Sequence, residues 1–558
     1  MTENAPVLNP PLLKSGSRPN LVVLLILLLS LGSCAEKPEK PIPKRPPNIL
    51  LIVADDLGYT DLGSYGGDIE TPNLDTLAAA GVRFSRFHTS PLCAPTRAML
   101  LSGNDNHIAG MGVQGRIPGQ FGYEGHLTDR IVPVPRLLQD GGYHTFMAGK
   151  WHLGMEPENN PLQKGFVRSF VNLRGAGNHY DDQGIFEETP RSLYTEDGKP
   201  APWPQGAYST DFYTDKLIAY MDEALAQNKP FFGFAAYTSP HWPLQVDEKY
   251  WKKYEGRYDA GYETLKARRL ESLKAAGMVP ENAVLPPNHE RVIPWDSLTA
   301  DQQKMEARKM ELYAGMVDNL DVNVGRLIRH LKETGQFENT LIVFMSDNGA
   351  AAEDFYHHPH YGPFIQKHFT EDYEAMGKAN SFISYGPQWA EAGSSPFRYF
   401  KEFPTEGGTV APMIVAGPGI QGRNAIHDEF LTLMDLAPTF YDLAGVTYPE
   451  QFEGKEVFPL RGTSILPFLS GKADAIHPDD YVFGLELHNY GMIRKGDWKL
   501  TNTSDPFNEG AFALYNLADD LAETNDLKAT EPQKYAELME AWKAFTAEVQ
   551  AQIPLPGE

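Results

Sequence analysis

The chain is long, acidic and poor in cysteine. It has 558 residues, a net charge of −24, 42% hydrophobic residues and 2 cysteines. This composition excludes a wholly disordered chain and favours a large globular domain with a smaller one beside it. The negative charge excludes nucleic acid and anionic membrane surfaces as partners, so an anionic substrate would need a local cluster of positive groups.

Residues 1–33 are typical of a lipoprotein signal peptide. Two basic residues precede an apolar run, Leu21 to Leu29, which is shorter than the ~20 residues of a transmembrane helix and fits a signal peptide. The run ends before Cys34 in a sequence that resembles a bacterial lipobox; a plain signal peptide is the alternative. We therefore expect export to the periplasm or cell surface, as an outer-membrane lipoprotein with a lipid anchor at Cys34. Residues 34–47 are proline-rich and predict an extended tether.

Three apolar runs predict buried parallel strands that each end in polar residues. Asn48 to Ala54 leads into Asp55-Asp56, Phe231 to Tyr237 leads into a segment containing His241, and Leu341 to Met345 leads into Asp347-Asn348. A helix predicted from about 304 to 332 precedes the last run. This alternation favours an α/β fold with helices on both faces, and ligands of such sheets bind at the carboxyl ends of the strands.

The acidic pairs at two of these strand ends are candidate metal ligands. Asp55, Asp56, Asp347 and Asn348 all offer hard oxygen atoms, which favour Ca²⁺ or Mg²⁺ over zinc. Taken singly, the first pair is also typical of a helix cap and the second of a tight turn. Because both pairs follow predicted strands, we expect them to form one cation site.

A cysteine stands at the start of another predicted helix. Cys93-Ala94-Pro95-Thr96-Arg97 is followed by apolar residues up to Gly103, a typical helix end. The positive field of a helix N-terminus is expected to activate the Cys93 thiol. Arg97, one turn later, lies on the same face and can bind anionic oxygens. From these residues alone, two interpretations of Cys93 stay open: a catalytic nucleophile and an inert buried thiol.

Several of these motifs together resemble the type I sulfatases. Cys93 to Arg97 is similar to the C-x-P-[ST]-R motif of that family, and Gly149-Lys150-Trp151-His152-Leu153-Gly154 is similar to its G-K-W-H-x-G motif. His241 matches the second active-site histidine. Lys401 matches the last active-site lysine, with Lys367 and Lys378 in the same region. The resemblance extends from Asn48 to beyond Asp520 and is closest to bacterial arylsulfatases.

The resemblance implies a fold, a cofactor and a set of site residues. The fold is an alkaline-phosphatase-like, mostly parallel mixed sheet flanked by helices, with a smaller C-terminal α+β subdomain that contains an antiparallel sheet. A maturation enzyme would convert Cys93 to formylglycine. One Ca²⁺ would be held by Asp55, Asp56, Cys93, Asp347 and Asn348. The catalytic residues would be Cys93, Arg97, Lys150, His152, His241, Asp347 and Lys401.

In such a site the reaction implied is hydrolysis of a sulfate monoester. The cations and Ca²⁺ would hold the sulfate oxygens while a hydroxyl of the hydrated aldehyde, with Asp347 as base, attacks sulfur. His241 and Lys401 would protonate or stabilise the leaving oxygen, and His152 would take the proton of the second hydroxyl to release sulfate. The substrate is a small-molecule or glycan sulfate ester, and the sequence does not distinguish aryl, alkyl, steroid and sugar sulfates.

Three other functions fit the same motifs. A phosphonate or phosphate ester hydrolase shares this fold, a thiol hydrolase would use unmodified Cys93, and a non-catalytic lipoprotein would bind sulfated glycans. We predict a catalytic domain over 48–470 and a C-terminal subdomain over 471–558, with short antiparallel strands and a helix from about 531 to 551. The histidine-rich segment 353–400 suggests zinc, although a loop at the pocket mouth is the simpler interpretation.

Overall fold

A computed structural model describes residues 46–553. The predicted signal peptide, Cys34 and the tether up to residue 45 lie outside these residues. The boundaries at 47/48 and 470/471 stay predictions. Within the part of the chain that is described, no helix is both long and apolar enough to cross a membrane.

A ten-stranded mixed sheet forms the centre of the fold. Its strands are β1 (Asn48–Ala54), β2 (Val82–Phe84), β3 (His144–Lys150), β4 (Arg168–Asn172), β5 (Tyr194–Glu196), β6 (Lys199–Pro200), β7 (Phe231–Ala236), β8 (Thr340–Ser346), β9 (Met413–Ala416) and β10 (Ala425–His427). Their spatial order is β10-β2-β9-β8-β1-β7-β3-β4-β5-β6. The five strands from β8 to β4 are parallel, whereas β9 and β5 pair antiparallel with β8 and β4 at the two flanks.

Apolar residues on both faces of the sheet explain why helices cover both. In β1, Leu50 and Ile52 belong to one buried cluster, and Leu51 and Val53 belong to the other, as the period of two in a strand requires. The α-helices are Pro72–Ala80, Cys93–Ser102, Asn106–Ala109, Val134–Asp140, Ser209–Ala226, Glu248–Trp251, Tyr262–Ala276, Ala300–Glu333, Gly362–His368, Gly386–Ser394, Glu406–Thr409, Leu436–Ala444, Leu466–Leu469 and Pro532–Val549. The predicted α/β architecture is confirmed.

The long helix before β8 begins earlier than its sequence pattern indicated. It spans Ala300–Glu333 instead of starting near residue 304, because Thr299 and Gln302 form a capping box that satisfies the first backbone N–H groups. The C-terminal helix, Pro532–Val549, lies within the predicted range.

The C-terminal part contains the predicted antiparallel sheet. Its strands are β11 (Val482–Leu487), β12 (Tyr490–Lys495), β13 (Trp498–Asn502) and β14 (Ala513–Asn516). The helix Pro532–Val549 packs on this sheet through Trp542 and Phe545, where Gly491 and Gly484 leave room for the rings. Three further strand pairs are Phe87–His88 with Leu431–Thr432, Gln183–Phe186 with Thr189–Arg191, and Gln451–Phe452 with Lys455–Glu456.

Candidate active site

The carboxyl ends of the parallel strands meet at one edge of the sheet and carry the predicted site residues. Asp55 and Asp56 follow β1, Asp347 and Asn348 follow β8, and Lys150 ends β3. The strand ends are aligned because Val53 of β1 pairs with Ala236 of β7 and with Met345 of β8. Side chains as far apart in sequence as Asp56 and Asn348, which are separated by 292 residues, therefore converge on one buried site.

Four oxygen-bearing side chains form the centre of this site. The backbone N–H of Asp56 donates to Asp347 Oδ1 (3.1 Å), and Asn348 Nδ2 donates to Asp56 Oδ1 (2.7 Å). Asp56 has a positive φ of 65°, an uncommon backbone conformation that turns its carboxylate toward these partners. Although burial acts in the opposite direction, the charge of Lys401 lowers the pKa of Asp56 to about 2.

Three predicted cations bind these carboxylates. Arg97 Nη2 donates to Asp347 Oδ2 (2.9 Å), and Lys150 Nζ lies 2.8 Å from both oxygens of Asp55. Lys401 Nζ donates to Asp56 Oδ2 (3.0 Å). Lys401 is therefore the lysine that reaches the cluster, whereas Lys367 and Lys378 are exposed.

Cys93 begins the helix Cys93–Ser102 as predicted, and Gly103 ends it in a left-handed conformation. Its Sγ lies 3.9 Å from Asp56 Oδ1, and its side chain is 1% exposed. The expectation of a thiol activated by the helix N-terminus is wrong, because burial raises the pKa of Cys93 well above its ordinary value. Desolvation outweighs the positive field of the helix.

Both predicted histidines face the cluster. His241 Nε2 lies 3.4 Å from Asp56 Oδ2, while its Nδ1 contacts the backbone oxygen of Trp242 (2.6 Å). Burial, followed by the charge of Lys150, lowers the pKa of His152 well below its ordinary value. His152 is therefore neutral at physiological pH, the form that accepts a proton.

The donor set fits a hard divalent cation. Ligand atoms of Asp55, Asp56, Cys93 and His241 all lie within 4.8 Å of one another. Asn348 Oδ1 is buried and has no hydrogen-bond partner among the described residues, which is costly unless a ligand binds it. Three carboxylates and this free amide oxygen offer the oxygen ligands that Ca²⁺ prefers.

Two supporting residues escaped the sequence analysis. The carboxylate of Glu353 is 2.8 Å from Lys401 Nζ through Oε1, and its Oε2 is buried without a partner. A Cβ atom at Gly175 would lie 2.4 Å from Cε1 of His152, so glycine is needed for that ring to lie where it does. No local motif marks either residue, because each acts across a large sequence separation.

The histidine-rich segment places a ring beside the site and forms a separate exposed cluster. Phe355 lies 4.4 Å from the Trp242 ring, next to His241. His357 pairs with Asp354 (2.8 Å) and Glu371 (3.3 Å), and its side chain is 62% exposed. Ion pairs between solvent-exposed side chains account for the cluster of His357, Asp354 and Glu371, and a bound metal ion is not needed to explain it.

Comparisons with known proteins agree with the geometry. A sulfatase family model matches residues 47–446. An uncharacterised sulfatase of Schizosaccharomyces pombe is 40% identical over 530 residues, covering 91% of this chain and 95% of that protein. An arylsulfatase of Klebsiella aerogenes is 37% identical over 447 residues, covering 79% and 94%.

The fold is also found among solved structures. The crystal structure of Ps i-CgsB in complex with k-i-k-neocarrahexaose has a TM-score of 0.65 at 24% identity, covering 90% of this chain and 93% of that one. The predicted alkaline-phosphatase-like fold is confirmed. The family match spans most of the chain, and two relatives align over nearly their whole length, so the chain belongs to the sulfatase family and is a sulfuric-ester hydrolase.

Proposed function

We propose that this chain hydrolyses sulfate monoesters with formylglycine at position 93 and one bound Ca²⁺, releasing inorganic sulfate and an alcohol or phenol. The observation that supports this most directly is the convergence of Arg97, Lys150 and Lys401 on a carboxylate cluster beside Cys93. Three buried cations in a chain of strongly negative charge create a local site for the oxygens of a sulfate group.

The metal would be held by Asp55, Asp56, Asp347 and Asn348, together with position 93. When bound, it supplies positive charge to the sulfate oxygens. The unpartnered Asn348 Oδ1 supports this assignment, because a buried amide oxygen without a partner costs about 1–3 kcal/mol. Among the described residues, the cluster contains only one thiol, Cys93, and one imidazole, His241. Structural zinc sites are usually built from several such ligands, whereas Ca²⁺ prefers oxygen ligands, so the cluster favours Ca²⁺ over zinc.

The environment of Cys93 supports its modification. Burial raises the pKa of the Cys93 thiol, and a thiol that stays protonated is a poor nucleophile. The unmodified side chain would therefore attack sulfur slowly. Formylglycine, once hydrated, supplies a hydroxyl oxygen as nucleophile. Because Cys93 is 1% exposed in the folded chain, a maturation enzyme would have to act on it before folding is complete.

The remaining residues have roles in charge and proton transfer. Arg97, Lys150 and Lys401 hold the sulfate oxygens, and Asp347 takes the proton of the attacking hydroxyl. Lys401 would donate to or stabilise the leaving oxygen, and His241 would do so in the form that carries a proton on Nε2; both side chains contact Asp56 Oδ2 at the centre of the site. His152, which is neutral, accepts the second hydroxyl proton at position 93.

Steady-state kinetics of the matured holoenzyme test this proposal. We expect a higher kcat/KM for 4-nitrophenyl sulfate than for 4-nitrophenyl phosphate or a phosphonate ester, and loss of turnover in Cys93→Ala. Ser102→Ala, a buried position at the other end of the same helix, is the matched control and should retain activity. Preference for the phosphoester would favour a phosphonate or phosphate ester hydrolase, and binding without turnover would favour a glycan-binding lipoprotein.

We also propose that the protein is exported and anchored through lipid on Cys34. This rests on the sequence alone, because Cys34 lies outside the described residues. Cys34→Ser should release active enzyme into the soluble fraction of cells. Continued membrane association of that variant would refute the anchor.

A further inference from the structure

Glu353 is a largely buried carboxylate at the edge of the proposed site, and one of its oxygens is not used by the protein. Its Oε1 lies 2.8 Å from Lys401 Nζ. Its Oε2 is buried and has no hydrogen-bond partner among the described residues. Because a buried carboxylate oxygen without a donor is costly, this atom is suited to bind a group that comes from outside the chain.

The contacts of Lys401 place Glu353 beside the leaving oxygen. Lys401 Nζ donates to Asp56 Oδ2 (3.0 Å), and His241 Nε2 lies 3.4 Å from the same oxygen. Lys401 and His241 are the two side chains that would act on the leaving oxygen in the proposed reaction. Glu353 contacts Lys401 directly, so its free oxygen lies on the side of the site where the leaving group must bind.

We infer that Glu353 selects sulfate monoesters that carry a hydroxyl group on the carbon atom next to the one that bears the sulfate. Oε2 accepts a hydrogen bond from that hydroxyl group while Lys401 contacts the leaving oxygen. The two oxygens of such an ester are close neighbours, as are Lys401 Nζ and the Glu353 carboxylate, so one leaving group can reach both side chains. This specificity rests on the proposed function and narrows its substrate class.

The charges around Glu353 favour a hydroxyl group over a second anionic group. Burial raises the pKa of Glu353, and the charges of Asp56 and Glu402 act in the same direction, whereas Lys401 lowers it. A second sulfate or carboxylate beside Oε2 would therefore meet three carboxylates and one lysine, an arrangement of like charges that is costly. A hydroxyl group donates the missing hydrogen bond without adding charge. An assay at pH 8 favours the ionised carboxylate, which is the accepting form.

Two isomeric esters test the inference, because they differ only in the position of one hydroxyl group. The kcat/KM of the matured holoenzyme is measured at pH 8 for 2-hydroxyphenyl sulfate and for 4-hydroxyphenyl sulfate, from the inorganic sulfate released. The ratio of the first value to the second should fall about 10-fold in Glu353→Ala, as expected for the loss of a hydrogen bond to a charged acceptor. Weaker support of Lys401 alone would lower both values together and leave the ratio unchanged.

Two further variants complete the test. Glu371→Ala is the matched control, because Glu371 pairs with the exposed His357 outside the acidic cluster; its ratio should equal that of wild type. Glu353→Gln keeps the size of the side chain and decides the matter if the alanine variant does not fold. A neutral acceptor binds a hydroxyl group about half as strongly as a carboxylate does, so this variant should lower the ratio about 3-fold.

A ratio that is the same in wild type and in the folded Glu353 variants overturns the inference. In that case both isomers are still hydrolysed, and the proposed function stands without this specificity. If neither isomer nor 4-nitrophenyl sulfate is hydrolysed by protein that carries formylglycine, the proposed function itself fails. The two failures are therefore distinguishable.

Discussion

Protonated His107 ties the C-terminal sheet to the central domain. Its Nδ1 lies 3.0 Å from Asp105 and its Nε2 lies 2.9 Å from Glu486 of β11. Burial disfavours the charged ring, but the two carboxylates outweigh it and raise the pKa of His107 from 6.5 to about 9. We therefore predict that this contact makes the stability of the protein depend on pH in the neutral to alkaline range.

The sign and size follow from the shift in pKa. A histidine whose pKa is higher in the folded state contributes its full stabilisation below the unfolded pKa of 6.5, and loses it as the pH rises through about 9. The shift of His107 corresponds to roughly 3 kcal/mol of unfolding free energy. Between these pH values the contribution falls by about 1.4 kcal/mol per pH unit.

Urea unfolding followed by circular dichroism tests this prediction at pH 6, 7, 8 and 9. The difference in unfolding free energy between wild type and His107→Gln should decrease as the pH rises, by about 1.4 kcal/mol per pH unit. His179→Gln is the matched control, because burial lowers the pKa of His179 to about 4 and keeps it neutral throughout this range. A difference for His107→Gln that stays constant from pH 6.5 to 9 would refute the reasoning.

Three further predictions concern the active site. Asn348→Ala should lower the calcium bound per protein, measured by mass spectrometry of the metal, because it removes the unpartnered Oδ1. Glu353→Gln should lower kcat about 10-fold, equivalent to 1.4 kcal/mol, and alter the pH–rate profile, because it removes a charge that holds Lys401. Gly175→Ala should lower kcat without changing the melting temperature by more than a few degrees, because its Cβ would displace the His152 ring.

Matched variants separate these effects from loss of folding. Asn106→Ala also removes a buried amide oxygen without a partner but lies outside the acidic cluster, so its calcium content should equal that of wild type. Glu371→Gln removes a carboxylate from the cluster around His357 and should leave kcat unchanged. Equal calcium in the Asn348 variant, or equal kcat and pH profile in the Glu353 variant, would contradict the corresponding assignment.

The site residues that lie in local motifs could be predicted from the sequence. Asp55 and Asp347 directly follow long apolar runs, and such runs form buried parallel strands whose carboxyl ends meet. Arg97 lies one helical turn after Cys93, so the period of the helix puts both on one face. These inferences need only neighbouring residues, and the structure places the side chains together as expected.

Features that depend on burial or on distant contacts could not be predicted in this way. The wrong expectation for the Cys93 thiol arose because a helix N-terminus is visible in sequence, whereas the desolvation that outweighs it is a property of the packed core. Glu353, Gly175 and the contact between His107 and Glu486 each join segments with no shared motif. The early start of the long helix at Ala300 depended on the Thr299 capping box.

The chemical identity of residue 93 tests the central claim most directly. Mass spectrometry of the tryptic peptide Phe87–Arg97, from protein produced in a host that performs the maturation, would measure it. We predict the mass of a peptide with formylglycine at position 93, in a preparation that hydrolyses sulfate esters. An intact cysteine at position 93 in fully active enzyme from that host would contradict the proposed nucleophile.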